Sequence, residues 1–181
     1  MAVMTSDETI KLLRDIESRS RRFAAGLPQQ VEAKQFWEGV LFLSSAMHSI
    51  APLSEVKEIL NYPPAVTSVP GTKPWMLGVA NIRGNLLPLI DLQLYLGGEP
   101  TKIGRRSRVL VIDHQGLYTG LLVGDVRGIR HLTDEQGAPV PALPDSVRQY
   151  IQRAYKLEGA VWSVFSMGML AENSDFRVAA I

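Results

Sequence analysis

The sequence contains no cysteine, which excludes both a disulfide framework and thiolate chemistry. It also lacks an apolar run of the roughly 18 residues that a membrane-spanning helix needs, because Arg, Asp, Gly or Pro interrupts every apolar stretch sooner. The first nine residues include Asp7 and Glu8 and no basic stretch followed by an apolar one, so we expect no targeting segment. Together these absences predict a soluble protein of the cytoplasm.

A strong charge of either sign is absent as well. The chain has 19 Lys and Arg residues against 18 Asp and Glu residues, a net charge of +1. Two basic clusters stand out, at residues 19–22 and 105–108, but neither is interleaved with aromatic residues that could stack on bases. The sequence therefore argues against nucleic-acid binding, and the second cluster is interpreted as a solvated loop before a strand.

The motifs of common enzymes are missing too. His48, His114 and His131 lie far apart, and no metal-ligand motif includes any of them. There is neither a Gly-x-x-x-x-Gly-Lys-Ser/Thr loop nor a Gly-x-Ser-x-Gly elbow. We therefore expect no enzymatic activity, no cofactor and no metal site. Asp91 follows an apolar run, and we interpret it as a strand-end residue whose carboxylate accepts backbone N–H bonds.

The N-terminal region differs in pattern from the rest of the chain. Between Ser6 and Gly26, apolar residues at helical spacing predict an amphipathic helix with Ser6 as its N-cap. This helix could pack on its own domain or serve as a docking or dimerising arm, and the sequence leaves both open. The predicted organisation is a helical extension over residues 1–34 and a domain over residues 35–181.

Short strands separated by Gly and Pro dominate from Phe36 onward, which predicts a mainly β fold of small barrels or a sandwich. The clearest predicted strands cover residues 36–45, 47–53, 109–113 and 117–123. One short helix is predicted near residues 145–156, because Val147, Tyr150, Ile151 and Ala154 share a helical face.

The domain also contains a diverged internal duplication. Val56 aligns with Val126, 70 residues further on, and Gly84 aligns with Gly159, 75 residues further on. In both alignments predicted strands align with predicted strands. The two offsets differ by five residues, which corresponds to a loop insertion. We expect two similar halves, approximately residues 35–98 and 105–172, each with only a marginal core of its own.

Arg83 is the most informative charged residue, because it lies at the entry of a long apolar strand. A charged side chain there must reach solvent, an acid or a partner. A guanidinium can bind a carboxylate of another protein through two parallel hydrogen bonds. The sequence leaves open whether Arg83 belongs to an interface or to an internal ion pair.

Residues 69–92 resemble the signature of the CheW family of chemotaxis coupling proteins. That family shows Pro-Gly, then Gly-Val-x-Asn-Leu-Arg-Gly, then an apolar run with Pro that ends in Asp-Leu. The matching residues are Pro70, Gly71, Gly78, Val79, Asn81, Ile82, Arg83, Gly84, Pro88, Asp91 and Leu92. Further similarity on both sides extends the resemblance over roughly residues 38–172.

The resemblance implies a pair of small five-stranded β-barrels packed together and a non-enzymatic adaptor. Such adaptors couple the cytoplasmic tips of methyl-accepting chemoreceptors to a CheA-type histidine kinase, and they pair end to end with its CheW-like regulatory domain. By motif position, the resemblance implies partner-binding roles for Glu58, Asn81 and Arg83, although Asn81 and Gly84 could instead serve a turn. We then expect recruitment to membrane-associated receptor arrays without membrane insertion, and self-association stays open.

The sequence departs from the family pattern in several places. Gly124 and Ser166 stand where the family has acids. The N-terminal helix and the proline-rich segment with a helix over residues 139–155 are additions, and with them the chain most resembles the PilI branch, which controls twitching by type IV pili. The alternative is a small-molecule-binding or self-assembling structural β-barrel, which would require a polar cavity or self-association without a kinase.

Overall fold

A computed structural model describes residues 36–44 and 47–180, so the helix expected over residues 6–26 lies outside the described residues. Within these ranges the chain forms eleven strands and four short α-helices. The strands are β1 (Phe36–Ser44), β2 (Met47–Pro52), β3 (Glu58–Asn61), β4 (Met76–Ile82), β5 (Asn85–Asp91), β6 (Arg108–His114), β7 (Leu117–Val123), β8 (Asp125–Thr133), β9 (Gly137–Ala138), β10 (Ile151–Leu157) and β11 (Ala160–Phe165). The helices are α1 (Leu92–Tyr95), α2 (Asp145–Arg148), α3 (Met167–Glu172) and α4 (Ser174–Ala180).

The strands form two curled sheets, which confirms the mainly β prediction. Sheet A has the order β8-β1-β2-β11-β10-β9, and sheet B has the order β3-β6-β7-β5-β4. Neighbouring strands are antiparallel except for β2 with β11 and β5 with β7, which are parallel. The first five strands of sheet A therefore correspond one by one to those of sheet B, as a duplicated chain requires.

Each sheet contains strands from both sequence halves. Strands β1 and β2 pair with the late strands β8 and β11, while β6 and β7 pair with the early strands β3 and β5. The halves at residues 35–98 and 105–172 therefore do not coincide with the sheets. Because each half supplies strands to both sheets, neither half can complete a sheet alone.

Alternating side chains on the central strands build three apolar layers. On β6, Val109 and Val111 point into the interior of sheet B, while Leu110 and Ile112 point into a central layer that both sheets share. On β1, Phe42 contributes to the central layer and Leu41 to the interior of sheet A. This period of two is the reason that fully apolar sequence segments form strands here.

The predicted helix near residues 145–156 is present only in its first turn. Helix α2 begins at Asp145 but ends at Arg148, and residues 151–157 form β10 instead. The pairing of β10 with β11 shifts register between Ile151 and Arg153. Because of that irregularity, Ile151 and Ala154 are both buried although they lie three positions apart. Buried residues at this spacing are typical of a helix, which explains the prediction.

A glycine on β4 offers a direct test of how closely the segment around Thr67 packs on sheet B. Gly78 has φ +137°, and a Cβ there would lie 2.2 Å from the carbonyl oxygen of Thr67. We expect Gly78→Ala to lower the free energy of unfolding by about 2 kcal/mol. Gly104→Ala is the matched control, because a Cβ at Gly104 meets nothing within 4 Å. Urea denaturation compares the two, and equal effects would contradict the packing described.

Candidate partner-binding surface

The turn between β4 and β5 fixes the position of Arg83. Arg83 and Gly84 form a two-residue connection with φ values of +53° and +88°, the left-handed pair of a type I′ turn. The backbone N–H of Gly84 donates to Oδ1 of Asn81 at 2.9 Å. Asn81 therefore stabilises the turn directly and so contributes to the position of Arg83.

The structure brings two of the predicted site residues into contact. Nη2 of Arg83 lies 2.8 Å from Oε1 of Glu58, which is on β3, at the other edge of sheet B from β4. The Arg83 side chain is 75% exposed and that of Glu58 is 32% exposed. Because exposed ion pairs contribute less than about 1 kcal/mol, this pair can exchange partners at low cost. Arg83 is thus both a member of an ion pair and accessible.

The surroundings of this pair include side chains that the motif did not indicate. Leu86 is 69% exposed and lies directly opposite Asn81 in the β4–β5 hairpin. Lys57, next to Glu58, pairs with Asp113, and the hydrogen bond to that carboxylate raises the pKa of Lys57. Alternation of side chains along β5 makes Leu86 exposed, since Leu87 and Leu89 point inward. The sequence did not show this alternation, because the segment is apolar at successive positions.

We call Glu58, Asn81, Arg83 and Leu86 the turn surface of sheet B. Sheet A has a counterpart, in which the Glu158–Gly159 turn joins β10 to β11 with φ values of +49° and +83°. Oε1 of Glu158 lies 3.8 Å from Nη2 of Arg130 on β8, the strand that corresponds to β3. The duplication has therefore kept the turn, with Glu158 where sheet B has Arg83, but the cation that pairs with Glu158 lies two residues beyond Gly128, the counterpart of Glu58.

Asp91, in the Asp-Leu pair that ends the motif, has the structural role predicted for it. It is 1% exposed, and its Oδ1 accepts from the N–H of Leu94 at 3.2 Å, which caps helix α1. Its Oδ2 accepts from the N–H of Thr101 at 2.7 Å, and Oδ1 also accepts from the hydroxyl of Thr101 at 2.7 Å. Asp91 thus ties the end of β5 to the segment that leads to β6.

Ser166 occupies the equivalent position in sheet A, and Glu55 supplies the missing carboxylate. Oγ of Ser166 accepts from the N–H of Met169 at 3.2 Å and caps helix α3. Oε2 of Glu55 accepts from the N–H groups of Met167 and Gly168 at 2.6 and 3.1 Å. The loss of the family acid at Ser166 is therefore compensated by a residue more than a hundred positions earlier, which sequence spacing could not reveal.

The histidines lie in three separate places. His48 packs edge-on against Trp162, His114 lies 3.3 Å from Glu172, and His131 lies 3.6 Å from Glu38. Over residues 36–44 and 47–180, no three His, Asp or Glu side chains form a group that could hold a metal ion. The same residues include no helix long and apolar enough to span a bilayer.

Comparison with known proteins identifies the family. The model of the CheW-like domain matches residues 38–175. Protein PilI of Pseudomonas aeruginosa is 40% identical over 172 residues, which cover 94% of this chain and 96% of that protein. The probable chemotaxis protein CheW of Rhizobium etli is 36% identical over 128 residues, covering 70% and 82% of the two chains.

A solved structure shares the fold. The crystal structure of the scaffolding protein TtCheW from Thermoanaerobacter tengcongensis superposes with a TM-score of 0.66 at 20% identity and covers 77% of this chain and 95% of that one. The matched family model and the shared fold thus define a CheW-like domain. The chain belongs to the CheW family, and the resemblance found in residues 69–92 is confirmed.

Restoring the family acid at Ser166 tests the compensation by Glu55. We expect Ser166→Asp to destabilise the protein, because a second carboxylate would lie beside that of Glu55 at the first turn of helix α3. In a Glu55→Gln background the cost of Ser166→Asp should fall by about 1 kcal/mol or more. A double-mutant cycle measured by urea unfolding gives this coupling, with Glu99→Gln as the control background. An equal cost of Ser166→Asp in all three backgrounds would show that Glu55 does not compensate.

Proposed function

We propose that the chain is a non-enzymatic adaptor that couples methyl-accepting chemoreceptors to a CheA-type histidine kinase. Its similarity to Protein PilI over almost the whole of both chains supports a place in the control of type IV pilus twitching motility. The observation that carries the proposal is the exposed ion pair between Arg83 and Glu58, held on a rigid turn at the motif that resembles the family signature. Its site of action is the cytoplasmic face of membrane-associated receptor arrays.

The geometry of the turn surface suits a partner that carries a carboxylate. A guanidinium has five N–H donors, and Nη2 of Arg83 lies 2.8 Å from Oε1 of Glu58. A partner carboxylate can engage the remaining donors or replace Glu58, while the exposed Leu86 supplies apolar contact beside the charge. The left-handed turn holds Arg83 in place before binding, which lowers the entropy lost on association.

The counterpart turn in sheet A suggests how two such folds pair end to end. There Glu158 stands where the sheet B turn has Arg83, and Arg130 pairs with it. We consider a kinase regulatory domain of the same fold that has an acid at the position equivalent to Glu158. The carboxylate of that acid could bind Arg83. Charge exchange between duplicated turns thus favours heterologous pairing over pairing of identical turns.

Reversing the charge of Arg83 tests the proposal. We expect Arg83→Glu to weaken binding to the CheW-like regulatory domain of a CheA-type kinase from the same genome by about tenfold or more, through repulsion at the interface. Isothermal titration calorimetry measures the affinity. Lys156→Glu is the matched control, because it makes the same charge change at an exposed position on β10.

A second variant separates an interface role from a structural one. Glu58→Arg combined with Arg83→Glu restores an ion pair at the same two positions with the charges exchanged. We expect this double variant to keep the stability of the parent and still to bind the kinase domain weakly. Recovery of full binding would mean that an ion pair of either polarity at these positions suffices and that the guanidinium of Arg83 does not contact the partner, and the proposed surface would be wrong.

A further inference from the structure

The segment between α1 and β6 concentrates positive charge that the turn surface does not use. Its cations are Lys102, Arg105 and Arg106, and Arg108 follows as the first residue of β6. The Arg108 side chain is tied to the segment, because its Nη1 donates to the carbonyl oxygens of Arg105 and Ser107 at 2.8 Å. Lys102 and Arg105 form no ion pair with any residue that the structure describes. Clustering like charges in this way opposes folding unless something offsets it.

This basic segment is nevertheless held firmly. Thr101 is fixed by the buried carboxylate of Asp91, through its N–H and its hydroxyl. Ser107 is 2% exposed, and its Oγ accepts from the N–H of Gly104 at 2.9 Å while its N–H donates to the carbonyl of Gly104 at 3.1 Å. Hydrogen bonds at both ends therefore hold the backbone between them, so the cations project from a preorganised loop rather than from a mobile one.

The loop forms one wall of a groove of about 830 Å³, and the beginning of β8 forms the other. Arg127 on β8 adds a third cation to the lining, beside Lys102 and Arg106, and lies 3.0 Å from Oδ2 of Asp125, which Arg106 approaches at 3.9 Å. Glu99 and Asp125 are the two carboxylates of the lining, so the three cations leave it with one excess positive charge, and Arg105 adds another cation on the same loop. Leu43 and Pro100 contribute apolar surface to its lining.

We propose that this groove binds an acidic polypeptide segment of a partner protein. The positive rim complements carboxylates, and the apolar lining suits the aliphatic part of a peptide rather than a bare anion. No aromatic side chain among the described residues lines the groove, so it lacks the stacking surface that single-stranded nucleic acid uses. The inference goes beyond the adaptor function, which rests on β3 and the β4–β5 turn.

Fluorescence anisotropy with the full chain tests the proposal without any kinase domain, so its failure leaves the role of Arg83 untouched. The probe is a fluorescein-labelled peptide of alternating Glu and Gly, and the reference is the same peptide with Gln for Glu. We expect saturable binding of the Glu peptide that weakens with added salt, and at least about tenfold weaker binding of the Gln peptide.

Charge reversal in the groove locates the binding. The variant Lys102→Glu with Arg106→Glu should lose about tenfold or more in affinity for the Glu peptide, and Arg105→Glu should weaken it to a smaller extent. The control is Lys73→Glu with Lys156→Glu, which changes the net charge equally at exposed positions on other segments. Circular dichroism spectra and thermal midpoints verify that all variants are folded.

Three results would overturn the proposal. The first is no saturable binding of the Glu peptide, and the second is equal loss of affinity in the groove variant and the control variant. The third is tighter binding of inorganic phosphate or of an oligonucleotide of matched charge, which would assign the groove to a phosphate-bearing ligand instead.

Discussion

The apolar layer shared by the two sheets is the constraint on which the rest of the structure depends. Phe42 from β1, Ile112 from β6 and Phe165 from β11 all lie in this layer and are fully buried. Because the sequence halves exchange strands, the layer forms only when both sheets form, and the fold behaves as one unit rather than as two independent barrels. The turns between the hairpin strands lie outside this layer, so their sequences can change without disturbing the core.

Duplication followed by divergence at those outer positions explains how one fold acquires two different ends. The pair Arg83 with Glu58 and the pair Glu158 with Arg130 occupy corresponding turns with opposite polarity. Asp91 caps helix α1, which follows the β4–β5 hairpin. Ser166 caps helix α3, which follows the β10–β11 hairpin, and Glu55 also accepts hydrogen bonds from its first N–H groups. A chain with unlike ends is suited to directional assembly, which a chain with identical ends is not.

Local patterns predicted β1, β2, β6 and β7 and the strand-end role of Asp91, because alternation and turn residues act over short distances. Other features depend on distant parts of the chain. The parallel pairing of β2 with β11 and of β5 with β7 has no sequence signal of its own. The contact of Glu55 with α3 joins the two halves, and the register shift in β10 gave Ile151 and Ala154 a helical spacing. Glu58, Asn81 and Arg83 came from the resemblance to the family, whereas the exposure of Leu86 required the structure.

The central claim is that the turn surface of sheet B, rather than its counterpart in sheet A, receives the kinase. Hydrogen–deuterium exchange of the full chain, with and without the kinase regulatory domain, tests this most directly. The account predicts that the partner slows exchange at the backbone amides of residues 57–60 and 82–86 and leaves residues 157–160 unchanged. Slowed exchange at residues 157–160 alone, with residues 57–60 and 82–86 unaffected, would contradict it.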